Sequence, residues 1–142
     1  MRTITRTSVI VTSLVALATS LAGCSLNEAV WGREGARVID TTTRFIGSAR
    51  DGDTSALICP GRHPDVRSRA DWANVHAEEP EKFDTVRWPD LLQLHPTWII
   101  NLSTVGSAAP GDEQPGTLVY GQTKEGFCVL EVFWMTVGSV SE

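Results

Sequence analysis

Phe127-Cys128-Val129-Leu130-Glu131-Val132-Phe133-Trp134-Met135-Thr136-Val137 is the stretch on which the fold turns. It is rich in β-branched and aromatic residues, and it is apolar at both alternating sets of positions except at Glu131. That pattern predicts a long strand buried on both faces, either central in a sheet or covered by a helix on one side. Two further strands precede it. Trp98, Ile100 and Leu102 alternate with Ile99, Asn101 and Ser103, and Thr117 to Gly121 forms a second run. Gly106 to Gly116, with Pro110 and Pro115, reads as a loop, and Lys124-Glu125-Gly126 as a turn.

Upstream the period changes. From Ala36 to Ala49, Val38, Ile39, Thr42, Phe45, Ile46 and Ala49 repeat at helical spacing. Arg37, Thr41, Arg44 and Ser48 take the other face. Gly52 suits the left-handed residue that ends a helix. Asp53 is suited to cap a short turn over Thr54 to Leu57, which Pro60-Gly61 stops. Residues 65 to 77 allow a helix with Val66, Ala70, Ala73 and Ala77 on one side. Pro80 and the acidic Glu78, Glu79, Glu81 and Asp84 read as a solvated turn, and Val86-Arg87-Trp88 as a short strand. Helices followed by antiparallel strands predict an α+β domain, with N-terminal helices packed on a curved antiparallel sheet.

The first residues belong to a different kind of segment. Arg2 and Arg6 are followed by an uncharged apolar stretch from Ser8 to Ala22, too short for a permanent span. It closes on Leu21-Ala22-Gly23-Cys24, which resembles the lipobox of bacterial lipoproteins. The resemblance implies a signal peptide over 1–23, removed after Cys24 takes a diacylglyceryl thioether and its palmitate-type chains. It places the protein on the cell membrane, facing the extracytoplasmic side. Two acyl chains hold a protein stably where one is marginal. Residues 24–35 then read as a lipidated tether, with Gly32 and Gly35 opposing helix, and 36–142 as one extracytoplasmic domain.

Cleavage leaves 119 residues, enough for one core. It also leaves ten basic against seventeen acidic residues, a net charge of −7 with histidine neutral. That balance argues against nucleic acid as a partner. With Cys24 assigned to lipid, Cys59 and Cys128 remain as an even pair where disulfides are permitted; the alternative is two buried free thiols. The spacing of Cys59, His63, His76, His95 and Cys128 matches no metal-site pattern, and no cofactor is implied.

Phe45-Ile46-Gly47-Ser48-Ala49-Arg50-Asp51-Gly52-Asp53-Thr54-Ser55-Ala56-Leu57-Ile58-Cys59-Pro60 resembles the start of nuclear transport factor 2-like, cystatin-related domains. Those open on a long helix, a Gly-Asp turn and a second short helix before a cone of strands. The resemblance spans roughly residues 36 to 138 and implies a sheet with a concave pocket. It implies no activity, since that fold hosts isomerases, dehydratases and binding modules.

Candidate chemistry is sparse. Glu131, expected on one strand face with Phe127, Val129, Phe133 and Met135, is a candidate general base because an apolar surrounding favours a neutral carboxyl. Its alternatives are an outward position or a pair with an arginine such as Arg44. No Asp–Tyr pair of the ketosteroid isomerase kind can be placed, and Tyr120 is the sole tyrosine. Asp51-Gly52-Asp53 looks like half a calcium loop but lacks its later ligands. Arg62, Arg67, Arg69 and His63 form a basic cluster that either holds an anion or pairs with the acidic run at 78 to 84. Trp31 falls in the tether. Trp72, Trp88, Trp98 and Trp134 either pack the core or line a ligand site, with Trp98, Trp134 and Glu131 the chosen ligand-binding candidates. These features lead to a membrane-anchored module that binds a small apolar ligand or an envelope protein. A ketosteroid isomerase-like enzyme with Glu131 as base and a structural accessory subunit are the alternatives.

Overall fold

A computed structural model describes residues 26–106 and 108–138. The expected signal peptide, residues 1–23, and Cys24 lie outside the described residues. One long helix, α1 (Leu26–Asp51), packs on a four-stranded antiparallel sheet of β1 (Val75–Lys82), β2 (Trp98–Thr104), β3 (Glu113–Gln122) and β4 (Phe127–Thr136), in the order β1-β2-β3-β4. The α+β expectation is met.

The helix carries the predicted stripe: Val38, Thr42, Phe45, Ile46 and Ala49 are buried. Three successive threonines, poor helix formers, are accommodated because Thr41, Thr42 and Thr43 each donate a hydroxyl to the carbonyl four residues back. Gly52, at φ 85°, closes the helix, with its N–H and that of Asp53 donating to Ser48 O at 2.8 and 3.0 Å. Asp53 Oδ1 accepts from the Ser55 N–H and hydroxyl, opening the 3-10 turn Ser55–Leu57. These hydrogen bonds, the side-chain one foremost, lower the Asp53 carboxyl below its ordinary range. The Asp51-Gly52-Asp53 stretch is thus a helix end and turn.

Several expectations need correction. Residues 26–35 of the expected tether are helical: α1 starts at Leu26 and is interrupted at Gly32 (φ 71°, ψ 174°), while Gly35 sits buried within it. A Cβ at Gly35 would stand 2.7 Å from Trp31 Cβ, so the missing side chain lets the helix pack there. Residues 65–77 are not a helix. Trp72, fully buried, lies off the proposed alanine stripe and packs edge-on against Phe45 at 5.5 Å. Its indole donates to Val66 O, which limits helix to the single 3-10 turn Arg69–Trp72. The acidic run is no turn but the edge strand β1, and residues 85–87 form a turn rather than a strand. The strand β3 begins at Glu113, inside the expected loop, with a register shift between Pro115 and Thr117. Pro115 is tolerated at that irregularity.

The strand β4 is at the sheet edge, not central. Its two apolar faces have separate covers. Val129 and Val132 join the core beneath α1, while Cys128 and Leu130 join a second cluster on the outer face, under Phe83, Trp88, Leu91 and Leu94. Its free edge is covered as well. Cys59 N–H donates to Val129 O at 2.9 Å, Ile58 bridges Val129 in parallel, and Cys59 is disulfide-bonded to Cys128. The indole of Trp134 donates to Asp65 O at 2.8 Å. At the other edge, acidic side chains and an irregularity between Ala77 and Pro80 discourage further strand pairing.

Candidate functional site: an open groove on the outer sheet face

The helix side of the sheet is filled. Phe45, Trp72, Ile100, Leu118, Tyr120 and Val129 are fully buried there. The candidate site is on the opposite face, and strand register lays it out as rows. Glu81, Ile99, Val119 and Glu131 form the first, since Glu81 pairs Ile99, Ile99 pairs Val119 and Val119 pairs Glu131. The segment 83–94 covers Ile99 and Val119 in this row. The second row runs through Asn101, Thr117 and Phe133. At its β1 end two residues oppose one: Ala77 pairs Leu102 and Pro80 pairs Ile100, so Glu78 and Glu79 together face Asn101. Met135 stands beyond, against Gly116, where a Cβ would come within 3.0 Å of its side chain.

The second row is open. A groove of about 320 Å³ runs between Arg87, Trp88, Pro89, Leu91 and the Ile99–Thr117–Phe133 floor. Thr117 and Phe133 are shared with a broader trough of about 610 Å³ that reaches Glu78, Gln114 and Met135. Glu78 and Asn101 continue into a third hollow with Glu79 and Glu81. Phe133 and Met135, 40% and 46% exposed, line the same trough, and Val86 and Leu92 of the covering segment are exposed apolar side chains as well. One wall is rigidified by Arg87, which pairs with Glu81 and lies 4.5 Å above the Trp88 ring; Trp88 in turn stacks on Phe83. The Thr117 hydroxyl donates to Asn101 Oδ1 at 3.2 Å, and both residues line the trough.

The chosen candidates do not converge. Trp98 is buried under α1, with the Lys82 ammonium 5.6 Å from its ring. Trp134 borders the broad trough but is held from the other side: Trp72 meets its edge at 6.1 Å, and the Arg67 guanidinium lies 4.0 Å above its ring. Glu131 is on the outer face, half-buried, and its Oε1 accepts the N–H of Val132 at 3.0 Å. It shares that face with Phe133 and Met135 as expected. It does not share it with Phe127 and Val129, because β4 has an extra residue at Leu130 that shifts the alternation. Among the described residues Glu131 makes no ion pair with Arg44.

Within the basic cluster, Arg67 pairs with Asp65 and Glu113, the latter at 2.7 Å, rather than with residues 78 to 84. The Glu113 hydrogen bond raises the Arg67 guanidinium above its ordinary value. Arg67 takes the left-handed conformation (φ 55°) that these contacts hold. Glu78, Glu79, Asn101 and Thr117 were absent from the sequence-level candidates. The two glutamates were hidden by the turn assignment, while the uncovered pair Phe133 and Met135 was visible in the alternation of β4. Among the described residues no group of histidine, cysteine and carboxylate side chains is arranged to hold a metal. No protein-family model, curated protein or solved structure matches the chain.

Proposed function

We propose that the protein is a non-enzymatic binding module, lipid-anchored through Cys24 on the extracytoplasmic side of the cell membrane, that takes a polypeptide partner along the outer face of its sheet. The observation that supports this most directly is the open row ending on uncovered Phe133 and Met135. An enclosed pocket buries most of a small ligand's surface, whereas a shallow trough touches one side only and suits an extended or protruding chain. The enzyme reading has less support. The carboxylate of Glu131 accepts the N–H of Val132, and the tryptophans proposed beside it are on the other face or at the rim.

Two experiments test the proposal. A photo-crosslinking residue at Thr117 in living cells is expected to trap a protein that the same residue at exposed Thr43, on the helix, does not. Equal yields from both positions, or none from Thr117, overturn the binding role of this face. Cys24→Ala is expected to abolish lipid labelling and release the protein from membranes. Unchanged partitioning overturns the anchor.

A further inference from the structure

The groove has a chemical polarity that selects its occupant. Its second row starts at Glu78 and Glu79, passes the Asn101–Thr117 pair and ends at Phe133. Three strand spacings make the row about 14 Å long. The carboxylates of Glu78 and Glu79 are exposed and form no ion pair among the described residues, whereas the neighbouring Glu81 is neutralised by Arg87. The opposite end is mainly apolar, with Phe133, Met135 and the wall of Trp88 and Leu91; its charged lining is Arg87, already engaged by Glu81, and a single carboxylate, Asp90, at the wall.

Building on the binding role proposed above, we infer that the partner segment is extended and bipartite: a basic residue seated at Glu78 and Glu79, and a bulky apolar residue seated at Phe133, about four positions further along. An extended chain advances about 3.3 Å per residue, and residues an even number apart point to the same side. A separation of four therefore spans the row with both anchors facing the sheet. The Asn101 amide, whose oxygen is taken by Thr117, has N–H groups suited to a peptide carbonyl between them.

Other occupants fit less well. A second copy of this chain would bring its own carboxylates against either Phe133, where the nearby Arg87 is already paired with Glu81, or Glu78 and Glu79, burying them without a free cation. An anionic bilayer surface would be repelled by the same glutamates.

The test uses the full lipidated chain in phosphatidylcholine nanodiscs and a fluorescent, end-blocked pentapeptide with arginine first, phenylalanine fifth and threonine between. Anisotropy should show saturable binding that empty nanodiscs lack, weakening with salt. Glu78→Lys with Glu79→Lys, both at exposed positions, should weaken it by about tenfold, and Phe133→Ser by a similar factor. The same peptide with glutamate first should bind at least about tenfold more weakly. Equal binding of the arginine and glutamate versions would overturn the cationic preference while leaving the groove as a binding face. Binding of none of them, or binding indifferent to Phe133→Ser, would overturn the bipartite reading. A crosslink at Thr117 in cells would still support the binding role in that case.

Discussion

The hydroxyl of Tyr120 lies 2.8 Å from that of Thr42, and both are fully buried between sheet and helix. Thr42 spends its proton on Val38 O at 2.8 Å, so Tyr120 is the donor to Thr42. The core is thereby crossed by a relay, Tyr120 to Thr42 to the helix backbone, with each donor satisfied. Such pairs contribute modestly when made and cost more when half-broken. Tyr120→Phe should destabilise the domain by about 1 kcal/mol, and Thr42→Val, which strands the phenol, by about 1–3 kcal/mol. Urea unfolding of both variants and the double mutant checks the order. The double mutant should be less destabilised than the two single losses together, since it removes both partners.

Alkaline stability follows from the same residue. Burial pushes the Tyr120 hydroxyl well above the ordinary tyrosine value of 10.0, and the Thr42 hydrogen bond offsets only part of that. The native state therefore favours the protonated phenol. This stability is fully present below about pH 10 and is lost as pH rises beyond it, by about 1.4 kcal/mol per pH unit for the one proton. Tyr120 is the sole tyrosine, so tyrosinate absorbance reports on it alone. The absorbance should rise together with loss of the far-ultraviolet dichroism of the fold. A normal titration near pH 10 in a still-folded protein would contradict the buried position.

How much of this was legible in the sequence depends on which forces act locally. The α1 stripe, its Gly52 end and the three C-terminal strands follow from periodicity and turn residues, and they were readable. The strand β1 was not. Its Val75, Ala77 and Pro80 face the helix only because an irregularity at Glu78 and Glu79 restores the register after a charged pair. Pairing with β2 fixes that choice, and no local preference announces it. The extra residue at Leu130 has the same effect on Glu131, dividing Phe127 and Val129 from Phe133 and Met135. The candidate site was accordingly half visible. Its apolar end is in the alternation of β4, but its acidic end exists only once β1 is a strand.

The Cys59–Cys128 disulfide does two things at once. It closes a loop across 69 positions, for which chain entropy suggests about 4 kcal/mol. It also holds residues 58 and 59 along the β4 edge, where Cys59 N–H donates to Val129 O. Replacing both cysteines with serine should cost about 2–4 kcal/mol. Hydrogen exchange at the Cys59-position amide should quicken by more than at β2 and β3 amides. Equal acceleration everywhere would mean that the bond acts on global stability alone, with no part in covering the edge.

Arg50 is the corresponding fastener at the far end of the helix. Its Nε donates to Trp72 O at 2.8 Å and its Nη2 to Val75 O at 2.9 Å, so one guanidinium joins the helix end to the 3-10 turn and to the first residue of β1. Both carbonyls accept from one forked donor, a geometry an ammonium group cannot reproduce. Arg50→Ala should cost about 2 kcal/mol, within the range for hydrogen bonds to charged groups. Arg50→Lys should recover less than half of that, because one ammonium cannot span both carbonyls in the same direction. The local signature separates this from a general loss of packing. Amides at the start of β1 should exchange faster in Arg50→Ala, while those of β3 near Tyr120 change only with global stability. If Arg50→Lys matches the wild type in both unfolding and exchange, charge near the helix end is what matters and the two-carbonyl clamp is not.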